Sequence, residues 1–214
     1  MFVAAIITMA GCARFPTDQV QPSGKQLVIT MSVSGQINPS YFYCVAFNTG
    51  SDTSLGPLPV VGPPWGNGWG TGTITFFVRY AQGGYRIFRM IPGTNNLGFV
   101  DAGSPITFEN PGANGNTLRF TIDLSQIATP ALPADQIQSL TVNFITTDIL
   151  PEDPNFPGPK YYDGLGEGNN FLTISTVGNR LYSNSEFNIE SVGDVQNGDP
   201  DLDITDWSIE VQTF

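Results

Sequence analysis

Apolar residues recur at every second position along much of this chain. Leu27, Ile29, Met31 and Val33 share one side of an extended backbone, and so do Ile74, Phe76, Val78 and Tyr80. Leu118, Phe120 and Ile122 repeat the pattern, as do Leu140, Val142, Phe144 and Thr146. A period of two is the mark of a strand that buries one face. Tyr41 to Phe47 is apolar on both alternating faces, which predicts a central strand covered on both sides. Tyr85, Ile87, Arg89 and Ile91 alternate against Arg86, Phe88 and Met90, and a Gly83-Gly84 turn before them predicts a hairpin with the strand at 73–80. Shorter strand candidates lie at 98–102, 106–109, 171–175 and 179–182, and Trp207, Ile209 and Val211 start a last one. No stretch keeps a helical period, and the best short helix candidates are 123–128 and a turn at 134–139.

About eight to ten short strands divided by Gly, Pro and Asn turns predict an all-β fold, an antiparallel β-sandwich or jelly roll with little helix. Crossover helices for a βαβ design are absent from the pattern, and no internal repeat suggests a propeller or β-helix. The 214 residues suit a single globular domain over 26–214 with a short N-terminal segment. Two stretches are long for loops of a compact domain, 50–72 and 148–170, and long ordered loops tend to carry function.

Composition narrows the chemistry. With no His, Ser-His-Asp and Cys-His catalysis and His-ligated zinc or haem are excluded. Two Cys are too few for a four-cysteine zinc site or a disulfide scaffold. A net charge of −11 argues against nucleic acid as a partner. That charge is confined to the C-terminal third. Six acids (Asp18, Asp52, Asp101, Glu109, Asp123, Asp135) balance six bases (Arg14, Lys25, Arg79, Arg86, Arg89, Arg119) over 1–147. Residues 148–214 hold thirteen acids against Lys160 and Arg180. Tyr161, Phe171, Trp207 and Val211 run through the acidic part, so it reads as loops of the same domain and not as a tail.

Residues 1–11 are apolar, uncharged and too short to span a bilayer as a helix, and they read as the core of a secretory signal. Met9-Ala10-Gly11-Cys12 resembles the lipobox of bacterial lipoproteins. The resemblance implies a lipidated Cys12, a polar tether over 12–25, and a place in the cell envelope facing the periplasm or the cell exterior, with the membrane reached through the lipid anchor alone. Cys44 then has no disulfide partner and reads as a small core residue. A Cys12–Cys44 disulfide is the alternative for a chain without lipid.

Loop 50–72 carries Trp65, Asn67 and Trp69 among Gly and Pro. Flat indoles held at a surface stack on sugar rings, and an amide such as Asn67 bonds hydroxyls, which makes this the candidate ligand site. The other reading has both indoles capping an open edge of the sandwich. The acidic run at 194–206 offers Asp194, Asn197, Asp199, Asp201, Asp203 and Asp206 as hard oxygen donors for Ca2+. It resembles a dockerin-type calcium loop in these donors and in Gly198, and departs from one at Pro200 and in the strand that follows. Its other reading is a solvated loop whose acids satisfy turn amides. Glu152, Asp153, Asn155, Asp163, Glu167 and Asn169 of loop 148–170 are further donors that complete a shared site if the two loops meet. No GxSxG, P-loop or Rossmann fingerprint is present, and Glu186 and Glu190 lack a diagnostic glycosidase spacing. The chain therefore reads as a binding lipoprotein and not an enzyme, with a polysaccharide or glycan as the leading ligand and Ca2+ as a structural ion. The alternatives are an adhesive surface protein that binds other proteins and, less favoured, a carboxylate-dependent glycosidase.

Overall fold

The protein, described here from a computed structural model over residues 22–166, 170–195 and 198–214, is built from antiparallel strands. Residues 1–11, read from the sequence as a signal, Cys12 and most of the expected tether over 12–25 lie outside the described residues. The Ser23 amide donates to Asp123 Oδ1 (2.9 Å), and Lys25 already belongs to the first strand.

One sheet holds five strands in the order β13 (Arg180–Ser183), β14 (Ile204–Thr213), β1 (Lys25–Val33), β9 (Thr117–Asp123) and β8 (Thr107–Glu109). The facing sheet runs β11 (Tyr162–Gly164), β10 (Ser139–Thr147), β2 (Phe42–Asn48), β5 (Phe76–Ala81), β6 (Gly84–Met90) and β7 (Phe99–Gly103). The strand β12 (Leu172–Ser175) pairs with the start of β10 and β11 with its end, so these two share one edge. A separate two-stranded ribbon joins β3 (Pro57–Pro59) to β4 (Gly70–Gly72). The first and last long strands, β1 and β14, pair along their whole length. The helical elements among the described residues include 3-10 turns at Leu124–Ile127 and Ala134–Gln136 and one short helix, α1 (Asn184–Phe187).

The main core lies between the sheets. Leu27, Ile29, Met31 and Val33 of β1 meet Val45, Phe47, Val78, Ile87, Val142 and Phe144 from the other sheet, all buried. Each such side chain contributes roughly 1.5–3 kcal/mol over its exposed state. The prediction for 41–47 holds: β2 sits between β10 and β5, and its other face is covered as well. There Cys44, Ala46, Phe77, Phe88, Met90 and Ile145 form a second cluster, roofed by Trp69 and Ile74. Burial pushes the Cys44 thiol up to about 12, so it behaves as a core residue.

The hairpin of β5 and β6 forms one residue earlier than Gly83-Gly84 suggests. Ala81 pairs with Gly84, and Gln82 (φ 52°) and Gly83 (φ 77°) make the turn. Two positive φ values in a two-residue loop match the right-handed twist of the flanking strands. Asp123 begins the predicted helical segment as its cap, with Oδ1 accepting from the Ser125 amide (2.9 Å) and Gln126 Oε1 accepting from the Asp123 amide (3.1 Å).

Candidate functional site

The loop with the two indoles folds inward. Trp65 is 6% exposed and Trp69 1% exposed. The Trp69 ring packs on Phe77 at 4.6 Å between centroids, and Trp65 Nε1 donates to Phe156 O (2.9 Å). Gly68 lets the loop press this close: its φ is +88°, and a Cβ there would meet Leu150 Cα at 2.9 Å. Asn67 is spent on the same fold. Its Oδ1 accepts from the Trp69 (3.0 Å) and Gly70 (2.8 Å) amides, and its Nδ2 donates to Asn96 O (3.1 Å). The expected exposed platform of Trp65, Asn67 and Trp69 is therefore not formed. The outer face of β2, β5 and β6 is apolar and must be covered, and Trp69 is part of what covers it. Trp69 roofs a sheet face, while Trp65 is buried beside Lys160 and Phe156.

The acidic residues gather in part. Asp163 of β11, Asp194, and Asp203 just before β14 bring carboxylate oxygens within 4.8 Å of one another. Loops 148–170 and 194–206 thus do meet in space, through Asp163. Asp163 Oδ1 accepts from the Gly164 amide (2.8 Å) and Oδ2 from the Ile204 amide (2.7 Å). Asp203 takes the Gly193 amide on both oxygens (2.9 and 3.0 Å). Glu190 is near enough to feel the charge of the three: its Oε2 accepts from the Gly166 amide (3.0 Å), while Oε1 is buried without a partner. Burial first, then the neighbouring acids, push Asp163 up to about 7 and Glu190 up to about 9, against the pull of the amide bonds.

The other acids expected beside them serve elsewhere. Asp199 accepts from the Tyr41 hydroxyl (2.9 Å) and the Asp201 amide (3.0 Å). Asp201 Oδ1 accepts from the Gln36 amide (2.8 Å), and exposed Asp206 caps the Trp207 amide (2.9 Å). Asn197 lies outside the described residues, as do Glu167 and Asn169. Glu190 went unassigned in the sequence because its spacing to other acids means nothing in isolation. Its burial depends on α1 and on Asn184, whose Oδ1 accepts from the Glu190 amide (3.0 Å).

A third feature is a cleft where the two sheets separate, near the start of β1. One lobe of about 740 Å³ is lined by Thr73, Thr75, Met90, Ile91, Asn95 and Asn96 among others. A second lobe of about 460 Å³ includes Gln26, Asp101, Asp123 and Gln126. Arg89, Phe76 and Val100 line both. Arg89 is exposed, and among the described residues it makes no ion pair. The sequence did carry a signal for it. Arg89 occupies the inward phase set by Tyr85 and Ile87, where a core strand would place an apolar residue. At the strand end the guanidinium emerges into the cleft instead of the core.

Comparison with protein-family models, with curated proteins and with solved structures finds no match for this chain.

Proposed function

We propose that this protein is a ligand-binding module of the cell envelope, anchored through Cys12, and that it takes a carbohydrate in the cleft around Arg89. The observation that carries this reading is the unpaired Arg89 guanidinium in a wall common to two lobes. Binding sites are concave, largely apolar and fitted with a few convergent polar groups. Here exposed Asn95 supplies an amide that bonds hydroxyls, and Ile91, Met90 and Val100 supply apolar surface for the C–H faces of a sugar ring. Arg89 adds the charge that favours a saccharide bearing a carboxylate or sulfate.

The test is a glycan panel, neutral and acidic, presented to the folded protein with Arg89→Ala as the comparison. Arg89 is exposed, so the variant keeps its fold. The expected result is retention of an acidic glycan that weakens at least tenfold in the variant. A panel with no binder, or a binder indifferent to Arg89, removes the reading.

A surface-adhesion reading draws on a different observation. The edge strands β7 and β8 expose Phe99, Val100 and Phe108, with Ile106 exposed between them. Unpaired edges of this kind accept a strand from another chain. Self-association in sedimentation that Phe108→Lys abolishes, without any glycan retained, favours that reading.

A further inference from the structure

Asp163 and Asp203 meet Asp194 in the carboxylate cluster, and Glu190 is held beside it on the Gly166 amide; Asp163, Asp203 and Glu190 are each more than nine-tenths buried. The amides of Gly164, Ile204, Gly193 and Gly166 orient their carboxylates without neutralising them. Among the described residues the ion pairs are Arg119–Glu109 and Arg180–Glu186, so no Lys or Arg answers these three acids. Carboxylates this close in a low-dielectric setting repel strongly, and a buried charge persists only with a compensating partner. Glu190 Oε1, in a side chain 4% exposed, still has none.

We propose that Asp163, Asp194, Asp203 and Glu190 form a binding site for one Ca2+ ion, which ties the edge strand β11 of one sheet to the entry of β14 in the other. The donor set is all oxygen, with no imidazole or thiolate, which disfavours zinc and other soft metals. Four carboxylates, each able to bind through one or two oxygens, supply the larger part of the six to eight ligands that Ca2+ takes. Mg2+ needs near-octahedral geometry and keeps several waters, which suits a crowded carboxylate cage poorly. The proposal stands independently of the Arg89 cleft.

The experiment uses the full chain stripped with EDTA and desalted, titrated with CaCl2 alone by calorimetry and followed by thermal unfolding. The expected result is one Ca2+ per chain and a raised Tm. Glu190→Gln and Asp163→Asn should each weaken Ca2+ at least tenfold. In the metal-free state Glu190→Gln should melt at or above the wild-type temperature, because it keeps the bond from the Gly166 amide and replaces only the partnerless Oε1; this separates a lost ligand from a damaged fold. Asp206→Asn, outside the cluster, should leave the affinity unchanged. Absence of both heat and Tm shift overturns the proposal, and so does Ca2+ binding that ignores Glu190→Gln and Asp163→Asn. Equal or tighter binding of Mg2+ overturns the assignment to Ca2+.

Discussion

Lys160 is a buried cation in a strongly acidic part of the chain, yet it is not paired with an acid. Its Nζ lies 5.0 Å from the centroid of Trp65 and 5.1 Å from that of Tyr162, and it has no hydrogen-bond partner. Burial lowers its pKa to about 8, partly offset by Asp148. Between pH 8 and the ordinary lysine value the unfolded chain holds this proton and the folded chain does not. Stability therefore rises with pH across that window, by at most about 1.4 kcal/mol per pH unit. Above about pH 10 the trend reverses, since burial keeps Tyr41, Tyr43 and Tyr85 protonated in the fold while the unfolded tyrosines ionise. Lys160→Met retains the aliphatic stem and deletes the charge. Urea unfolding should show the stability of Lys160→Met relative to wild type falling by about 2 kcal/mol from pH 7.5 to 9.5. A pH-independent difference would mean that Lys160 titrates alike in both states. The same side chain explains the fate of Trp65: an indole under an ammonium group, with its Nε1 on Phe156 O, has no face left for a sugar.

At the scale of elements, the outer face of β10 holds its cover in place through Asn143. This side chain is fully buried and makes three bonds: Nδ2 to Pro57 O (2.9 Å) and Asn170 O (2.8 Å), and Oδ1 from the Leu165 amide (3.1 Å). It thereby fixes the β3 ribbon and the turn after β11 to one central strand. Asn143→Ala leaves buried backbone groups without partners and should cost about 3 kcal/mol in denaturant unfolding. A loss under about 1 kcal/mol would show that water replaces the amide. These elements also mark the limit of what the chain pattern disclosed. The long strands β1 and β9 were legible because their alternation is set by one buried face, and β5, β6 and β10 because their inward residues keep the same period although the other face is also covered in part. The short strands β3, β4 and β11 were hidden inside 50–72 and 148–170, since three residues of Pro, Gly or Tyr carry no period. The helix α1 likewise spans four residues and buries none of them. The site followed the same rule. Asp194 and Asp203 were visible as neighbours in an acidic run, and Asp163 as a donor from the other loop. Glu190 and Arg89 acquire meaning only through tertiary placement, because a charge inside an alternating strand looks the same whether it ends in a core, a cleft or solvent.

For the whole molecule, the two candidate sites lie at opposite ends of β1. Gln26 pairs with Asp123 at the cleft, and Val33 pairs with Ile204 beside Asp203. The nine residues of β1 span about 27 Å. Between them runs the buried core of both sheets, and interiors of this kind are close-packed. A cation at Asp163 and Asp203 thus stabilises one end of the sandwich by joining β11 to β14, and gives Arg89 no differential contact. Two measurements then separate. Hydrogen exchange at the Gly164, Gly193 and Ile204 amides, which bond the clustered carboxylates, should speed at least tenfold in EDTA relative to Ca2+. Exchange at the β5 and β6 amides around Arg89 should not change, and glycan affinity should differ less than twofold between the two conditions below the melting transition. Exchange that accelerates evenly through both sheets would instead place the ion in the global folding unit. Loss of glycan binding in EDTA without unfolding would show that the two ends are coupled through the core, against the rigidity argued for it here.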